Sequence, residues 1–168
     1  MINVAIIGSG IGLKHFEAIN GYRKSKVKII CEKNSKKVKE LKLRYKNIKV
    51  ISNENEIFKN KEINLVSIAS YDDDHFSQIK KCIANNKHII VEKPMCLNLK
   101  QLNQIKILLK KKPKIKIISN LVLRENSLFV ALKKKANIDD IFYIEADYIW
   151  GRRQKLFQWR SKIKDYSV

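Results

Sequence analysis

The chain has 168 residues, 36 of them Lys or Arg and 16 Asp or Glu, which gives a formal charge of +20. A chain of this length holds one domain and the opening of another, and a 45% hydrophobic content supplies enough core to exclude a disordered polycation. No stretch reaches the roughly eighteen apolar residues of a membrane-spanning helix, and the three cysteines fall in no Cys-x-x-Cys or Cys/His spacing that would indicate a disulfide framework or a zinc site.

The first predicted strand, Asn3 to Ile7, begins at once, with no basic leader or cleavage site ahead of it, so a cytoplasmic location is expected. Further strands are expected at Val27 to Cys31, Ile48 to Ile51, Leu65 to Ala69, His88 to Val91 and Ile115 to Ser119. They are rich in Val and Ile and apolar on both faces, as strands covered on both sides by helices should be. Between them, Val38, Leu41 and Tyr45 recur at helical spacing. So do Phe76, Ile79, Cys82 and Ile83, and then Leu99, Leu102, Ile105 and Leu109. These stripes are expected to face the core. Pro113 stops the last helix before the sixth strand. The alternation is that of βαβ units in an α/β domain with a parallel sheet, assigned to residues 1–120. From Leu121 the rhythm changes to a helix at Ser127 to Lys135 and a strand at Ile141 to Ile149. Residues 121–168 therefore read as an incomplete start of a second α/β domain. Its lone strand has unpaired edges, so the segment is expected to be poorly ordered or prone to association.

A strongly basic chain raises nucleic acid as a partner, because released counterions reward a surface dense in cations. Here, however, 30 of the basic residues are Lys and only six are Arg, whereas base and bidentate phosphate recognition favours Arg. The runs Lys110 to Lys112 and Lys133 to Lys135 each end an apolar-periodic stretch, where a helix C-terminus favours positive charge. Lys is accompanied by 26 Ile and 15 Asn, all with A/T-rich codons, so biased base composition accounts for the excess. Nucleic acid is not the expected partner.

Three of the five glycines, Gly8, Gly10 and Gly12, fall directly after the first strand. A glycine turn from strand to helix lets the backbone, Ile11 included, approach a pyrophosphate closely, while the helix start presents free N–H groups and a partial positive charge. The dinucleotide fingerprint is G-x-G-x-x-G, and here the third glycine arrives one residue early. Context compensates: the second strand ends at Glu32, twenty positions after Gly12, where a carboxylate accepts from the adenosine ribose and repels a 2′-phosphate. NAD is the expected cofactor. Lys33, beside Glu32, weakens the discrimination, so NADP stays open as the alternative. The acidic run Asp72 to Asp74 reads as an N-cap with favourable dipole charges for the helix starting near His75, and no metal site is expected.

The tripeptide Glu92-Lys93-Pro94 closes the fifth strand, at the sheet edge where open α/β folds place their ligands. Together with the glycine loop and the segment Ala69 to His75, it resembles the glucose–fructose oxidoreductase / inositol dehydrogenase (Gfo/Idh/MocA) family. That resemblance implies a Rossmann-type doubly wound domain binding NAD(P). Lys93 would stand at the substrate carbon that exchanges hydride, Glu92 and His75 would lie beside the cofactor, and Pro94 would follow a cis peptide. His15 matches a histidine of the family's first helix, and Tyr71 replaces a family proline. Arg124 matches an arginine that opens the second domain, and Trp159 and Arg160 fall in a segment that faces sugar in some members. A sugar, nucleotide sugar or polyol substrate and a homo-oligomer are implied for the full-length enzyme. Relatives are about twice as long and carry the rest of the acid/base set in their second half, so weak cofactor binding and little or no turnover are expected of this chain alone. Two other readings stay open: a non-catalytic dinucleotide-binding or regulatory module, and a basic nucleic-acid-binding protein.

Overall fold

The computed structural model describes residues 1–147 and 149. The chain divides into two compact units, Met1–Asn120 and Leu121–Val168. In the first, strands β1 (Ile2–Ile7), β2 (Ser25–Cys31), β3 (Lys49–Ile51), β4 (Leu65–Ile68), β5 (His88–Val91) and β6 (Ile117–Ser119) alternate with helices α1 (Gly12–Gly21), α2 (Ser35–Arg44), α3 (Asn55–Lys59), α4 (His75–Ala84) and α5 (Leu99–Lys111). All strands pair in parallel, in the order β3-β2-β1-β4-β5-β6. This is the doubly wound α/β fold expected from the alternation. The chain winds outward from β1 to β3, then crosses to β4 and winds the other way. The order therefore reverses between β1 and β4, where the loops diverge and leave a crevice.

Alternation along β1 divides the core. Val4 and Ile6 join Val27, Ile30, Leu41 and Val50, with Leu13, Phe16 and Val38 packed against them. Ala5 and Ile7 face the other way, among Val66, Ile79, Ile83, Val91 and Ile105. Each face is thus covered by helices, which is why the strands are apolar throughout. The stripes on α2 and α4 pack as predicted. Leu99, however, is 75% exposed, because Asn98 caps the helix start and the first turn of α5 projects past the core. Helix α3, five residues long, has no counterpart among the predicted elements. It is too short to show a period, yet it buries Ile57 and Phe58.

The second unit contains a 3-10 turn (Val122–Glu125), helix α6 (Ser127–Lys135) and a second 3-10 turn (Ile138–Asp140). Helix α6 forms where expected, capped by Asn126 and with Lys133, Lys134 and Lys135 in its last turn. Of the strand expected at Ile141 to Ile149, residues 141–147 are exposed and have no regular structure, and residue 148 lies outside the described residues. A strand needs a neighbour to complete its hydrogen bonds, and among the described residues this unit has none.

Candidate functional site

In a parallel sheet every strand ends at the same edge, so the residues just beyond β1, β2, β4, β5 and β6 converge. Here they are Gly8, Glu32, Ala69, Glu92 and Asn120. Each still donates its backbone N–H to a neighbouring strand, at 2.8 to 3.0 Å. The site residues are thereby held by the sheet itself and not by free loops.

Gly8 has φ +91°, and a Cβ there would overlap the Ala69 carbonyl and stand 2.9 Å from the Ser70 nitrogen. Gly12 begins α1 against the sheet, where a Cβ would lie 2.9 Å from Cγ2 of Ile6 and 3.3 Å from Cβ of Ala69. Gly10 differs: a Cβ there would meet nothing within 4 Å. Two glycines thus bring the turn down onto β4, while the third leaves open backbone facing outward, with the start of α1 behind it. Ile11 stands at that start with half its surface exposed. The early third glycine serves the same packing purpose as the one in the standard fingerprint, so the altered spacing does not disturb the cradle.

Glu32 reaches back to this turn. Its Oε2 accepts from the Ser9 hydroxyl and from the Ser9 N–H at 3.0 Å, and its Oε1 accepts from the Asn34 N–H at 2.8 Å. Burial pushes this carboxyl up, but the Ser9 and Asn34 hydrogen bonds, aided by the charge of Lys37, outweigh it and hold the group below the usual carboxylate range. It is thus kept in its ionised, accepting form.

On the far side of the crevice, Glu92 is the hub of a polar cluster. Its Oε1 lies 2.9 Å from Nε2 of His15 and accepts from Nδ2 of Asn120 at 2.6 Å, while Nδ1 of His15 lies 2.7 Å from the Ser67 hydroxyl. An ionised carboxylate only accepts, so Nε2 carries the proton, and in the neutral ring Nδ1 accepts from Ser67. Burial would raise the Glu92 carboxyl, and the bonds from His15 and Asn120 overcome it and lower it instead. The Ser–His–Glu order looks like a hydrolytic relay, but Ser67 is fully buried, so it serves as a strut. Sequence reasoning singles out neither Ser67 nor Asn120. The signals are present all the same: a lone hydroxyl in the apolar strand Leu65-Val66-Ser67-Ile68, and an amide placed just past the last strand.

Lys93 follows Glu92 and is exposed. Among the described residues nothing accepts a hydrogen bond from its ammonium. The Lys93–Pro94 peptide is cis. His75, expected beside the cofactor, has no exposed surface. Its Nδ1 lies 2.8 Å from the Pro94 carbonyl and its Nε2 lies 3.3 Å from the Ser70 carbonyl. Both partners are carbonyl oxygens, which only accept, so the ring can serve here only as a donor. His75 therefore holds the turn that carries Lys93 and has no surface of its own to offer. Behind it, the fully buried Gln78 links the Ser70 hydroxyl to Glu54, which Lys81 also meets.

Asp74, the last of the aspartate run, is placed differently from expectation. Asp74 precedes α4 but makes no capping hydrogen bond with its side chain. It pairs instead with Lys33 at 2.8 Å. Arg124 lies exposed in the 3-10 turn of the second unit, while Trp159 and Arg160 fall outside the described residues. Among the described residues there is no cluster that could hold a metal ion, and no helix is long and apolar enough to cross a membrane.

Comparison with known proteins agrees with this geometry. Residues 2–120 match the model of the Gfo/Idh/MocA oxidoreductase family, described by its NAD-binding Rossmann fold. The oxidoreductase YdgJ of Escherichia coli (strain K12) is 27% identical over 96% of this chain and 47% of its own length. Among solved structures, scyllo-inositol dehydrogenase from Lactobacillus casei, with bound NAD(H) and scyllo-inositol, superposes with a TM-score of 0.74 at 19% identity, over 80% of this chain and 40% of that one. A 3-ketoreductase from Actinomadura kijaniata, in complex with TDP-benzene and NADP, gives 0.71 at 15% identity, over 79% of this chain and 41% of that one. The chain thus spans about half the length of the relatives it matches.

Proposed function

This chain belongs to the Gfo/Idh/MocA oxidoreductase family, whose first domain is an NAD-binding Rossmann fold, and from that premise we propose that it contributes the dinucleotide site and the reacting lysine to a dehydrogenase of sugars, nucleotide sugars or polyols. The observation that carries the reading is the meeting of three features along one sheet edge: the open backbone at Gly10, the ionised Glu32 and, across the crevice, a Lys93 ammonium that no described residue engages.

The backbone of Gly8 to Gly12 and the first turn of α1 hold the pyrophosphate, with N–H groups and the positive end of the helix aimed at it. Glu32 accepts the hydroxyls of the adenosine ribose. The Ser9 hydroxyl now on Oε2 is the same kind of donor as a sugar hydroxyl, so one exchanges for the other. When bound, the nicotinamide supplies the hydride acceptor or donor. Lys93, as an ammonium, hydrogen-bonds the substrate oxygen and steadies the charge that develops on it as the carbon is oxidised, while the proton passes to a base supplied by the second half of the enzyme. The His15–Glu92–Asn120 cluster fixes the strand end from which Lys93 projects, and His75 fixes the turn behind it. Both are positioning roles.

Calorimetric titration with NAD+ and NADH tests the first half of this reading. Saturable heat is expected, and a folded sample giving none from either at about 1 mM would overturn it. The second half is tested in a dehydrogenase assay over sugars and polyols with the chain completed by the second half of a relative. There, Lys93→Met should cut kcat by about 10²- to 10⁴-fold.

A further inference from the structure

Asp74 holds the position from which an aspartate ordinarily accepts the first N–H groups of a helix. Its backbone is already helical (φ −79°, ψ −26°), and its side chain makes no such bond. It reaches instead across to a residue 41 positions earlier, with Oδ2 2.8 Å from Nζ of Lys33. Lys33 is the residue after Glu32. The pair therefore ties the end of β2 to the turn between β4 and α4, beside the carboxylate assigned to the adenosine ribose. The hydrogen bond from Lys33 to Asp74 holds the ammonium above its usual range, with Asp73 and Glu54 acting in the same direction. The cation stays charged, but its charge is answered where it stands.

This matters because the fold alone does not choose between the two nicotinamide dinucleotides: the L. casei neighbour carries NAD(H) and the A. kijaniata neighbour NADP. The choice lies at the ribose 2′ position, where a phosphate adds up to two negative charges. A 2′-phosphate there needs a cation, and Lys33 is the cation adjoining Glu32. Resting on the function proposed above, we propose that Asp74 is a specificity-determining residue that acts through Lys33: by engaging that ammonium it denies a 2′-phosphate its counter-charge and keeps the site selective for the dinucleotide with a free 2′-hydroxyl. Glu32 excludes the phosphate by repulsion. Asp74 engages a neighbour that would offset that repulsion, so Lys33 does not weaken selectivity as its place in the sequence suggests. Lys37, whose charge also reaches Glu32, remains in every variant and limits the size of the effect.

The test is a pair of titrations, with NAD+ and with NADP+, on the full chain and on Asp74→Ser, Asp74→Ala, Lys33→Met and the double variant Asp74→Ser/Lys33→Met. Serine is itself a favoured residue at a helix start, so the first variant keeps α4 supported. The readout is the ratio of the two dissociation constants. General loosening of the fold weakens both dinucleotides alike and leaves that ratio in place. Removing Asp74 should shift the ratio toward NADP+ by about threefold to fivefold, the size expected of one exposed ion pair, and the shift should vanish in the Lys33→Met background. An unchanged ratio in both single Asp74 variants overturns the proposal. So does a shift of equal size without Lys33, since it would mean that Asp74 repels the phosphate directly. If the unmodified chain binds neither dinucleotide, the functional reading falls, and this one falls with it.

Discussion

The glycine turn separates two demands that a sequence presents together. Gly8 is required by the fold: its left-handed φ and its approach to Ala69 and Ser70 leave no room for a side chain. Gly8→Ala is expected to cost about 3 kcal/mol or more in chemical denaturation. Gly10 is not required by the fold, because a Cβ there meets only open space. Gly10→Ala should change stability by no more than about 1 kcal/mol, yet weaken NAD+ measurably in calorimetry, since the space it fills is the one assigned to the pyrophosphate. A Gly10→Ala protein that binds NAD+ as tightly as the parent would show that the phosphates lie elsewhere. The three thiols divide as cleanly. Burial pushes Cys31 and Cys82 up to about 12, with nearby Glu54 acting in the same direction, whereas Cys96 is only half-buried. Iodoacetamide at pH 8 should modify Cys96 in the native protein and reach the other two only after denaturant is added, as peptide mapping would report. At this scale the sequence is legible where backbone conformation or strand position dictates a residue's place, as for Gly8 in its turn and for Glu32 and Lys93 at the ends of β2 and β5. It is illegible where a side chain's partner is far along the chain. Nothing near Asp74 announces Lys33, and nothing near His75 announces the Pro94 carbonyl, so a residue expected beside the cofactor is found fully buried against the turn that carries Lys93.

Between elements, the cluster that joins α1, β4, β5 and the end of β6 makes an acid limb in stability. Glu92 lies below its ordinary value of 4.5, so between the two values the unfolded chain binds more protons than the folded one. Its contribution is therefore complete above about pH 4.5 and is lost as pH falls through the lower folded value. Glu32, also lowered, acts in the same direction. Thermal melts between pH 7 and pH 3 should show a steep fall below pH 5. Glu92→Gln should lower stability at pH 7 by about 1–3 kcal/mol and flatten that fall; an acid limb of undiminished slope would locate its origin elsewhere. Periodicity finds the strands and the longer helices because burial on two faces imposes a pattern on the sequence. It misses α3, which has too few residues for a period. It also places a strand at Ile141 to Ile149, which finds no pairing neighbour among the described residues, since the ladder is a property of two segments and pattern a property of one.

For the whole molecule, charge is the largest influence left unbalanced. With +20 spread over 168 residues, self-repulsion opposes compaction. Raising the salt from about 20 mM to about 200 mM shortens the screening length severalfold and should raise the melting temperature. A lower melting temperature in salt would mean that the pairs Lys33–Asp74, Lys49–Glu56 and Lys81–Glu54 outweigh the net repulsion. The same sheet that collects the site also sets when the site exists. Asn120, which completes the pairing of Glu92, is the last residue of the first unit, while His15 belongs to the first helix. A nascent chain still lacking its sixth strand carries the Glu92 carboxylate without one of its two side-chain donors and the parallel sheet without its final edge. Emergence of the 120th residue from the ribosome is thus the event that closes the cluster. A chain arrested a few residues short of it has the glycine turn, the lysine and the His15–Glu92 contact, but not the amide that ties the sixth strand to that carboxylate.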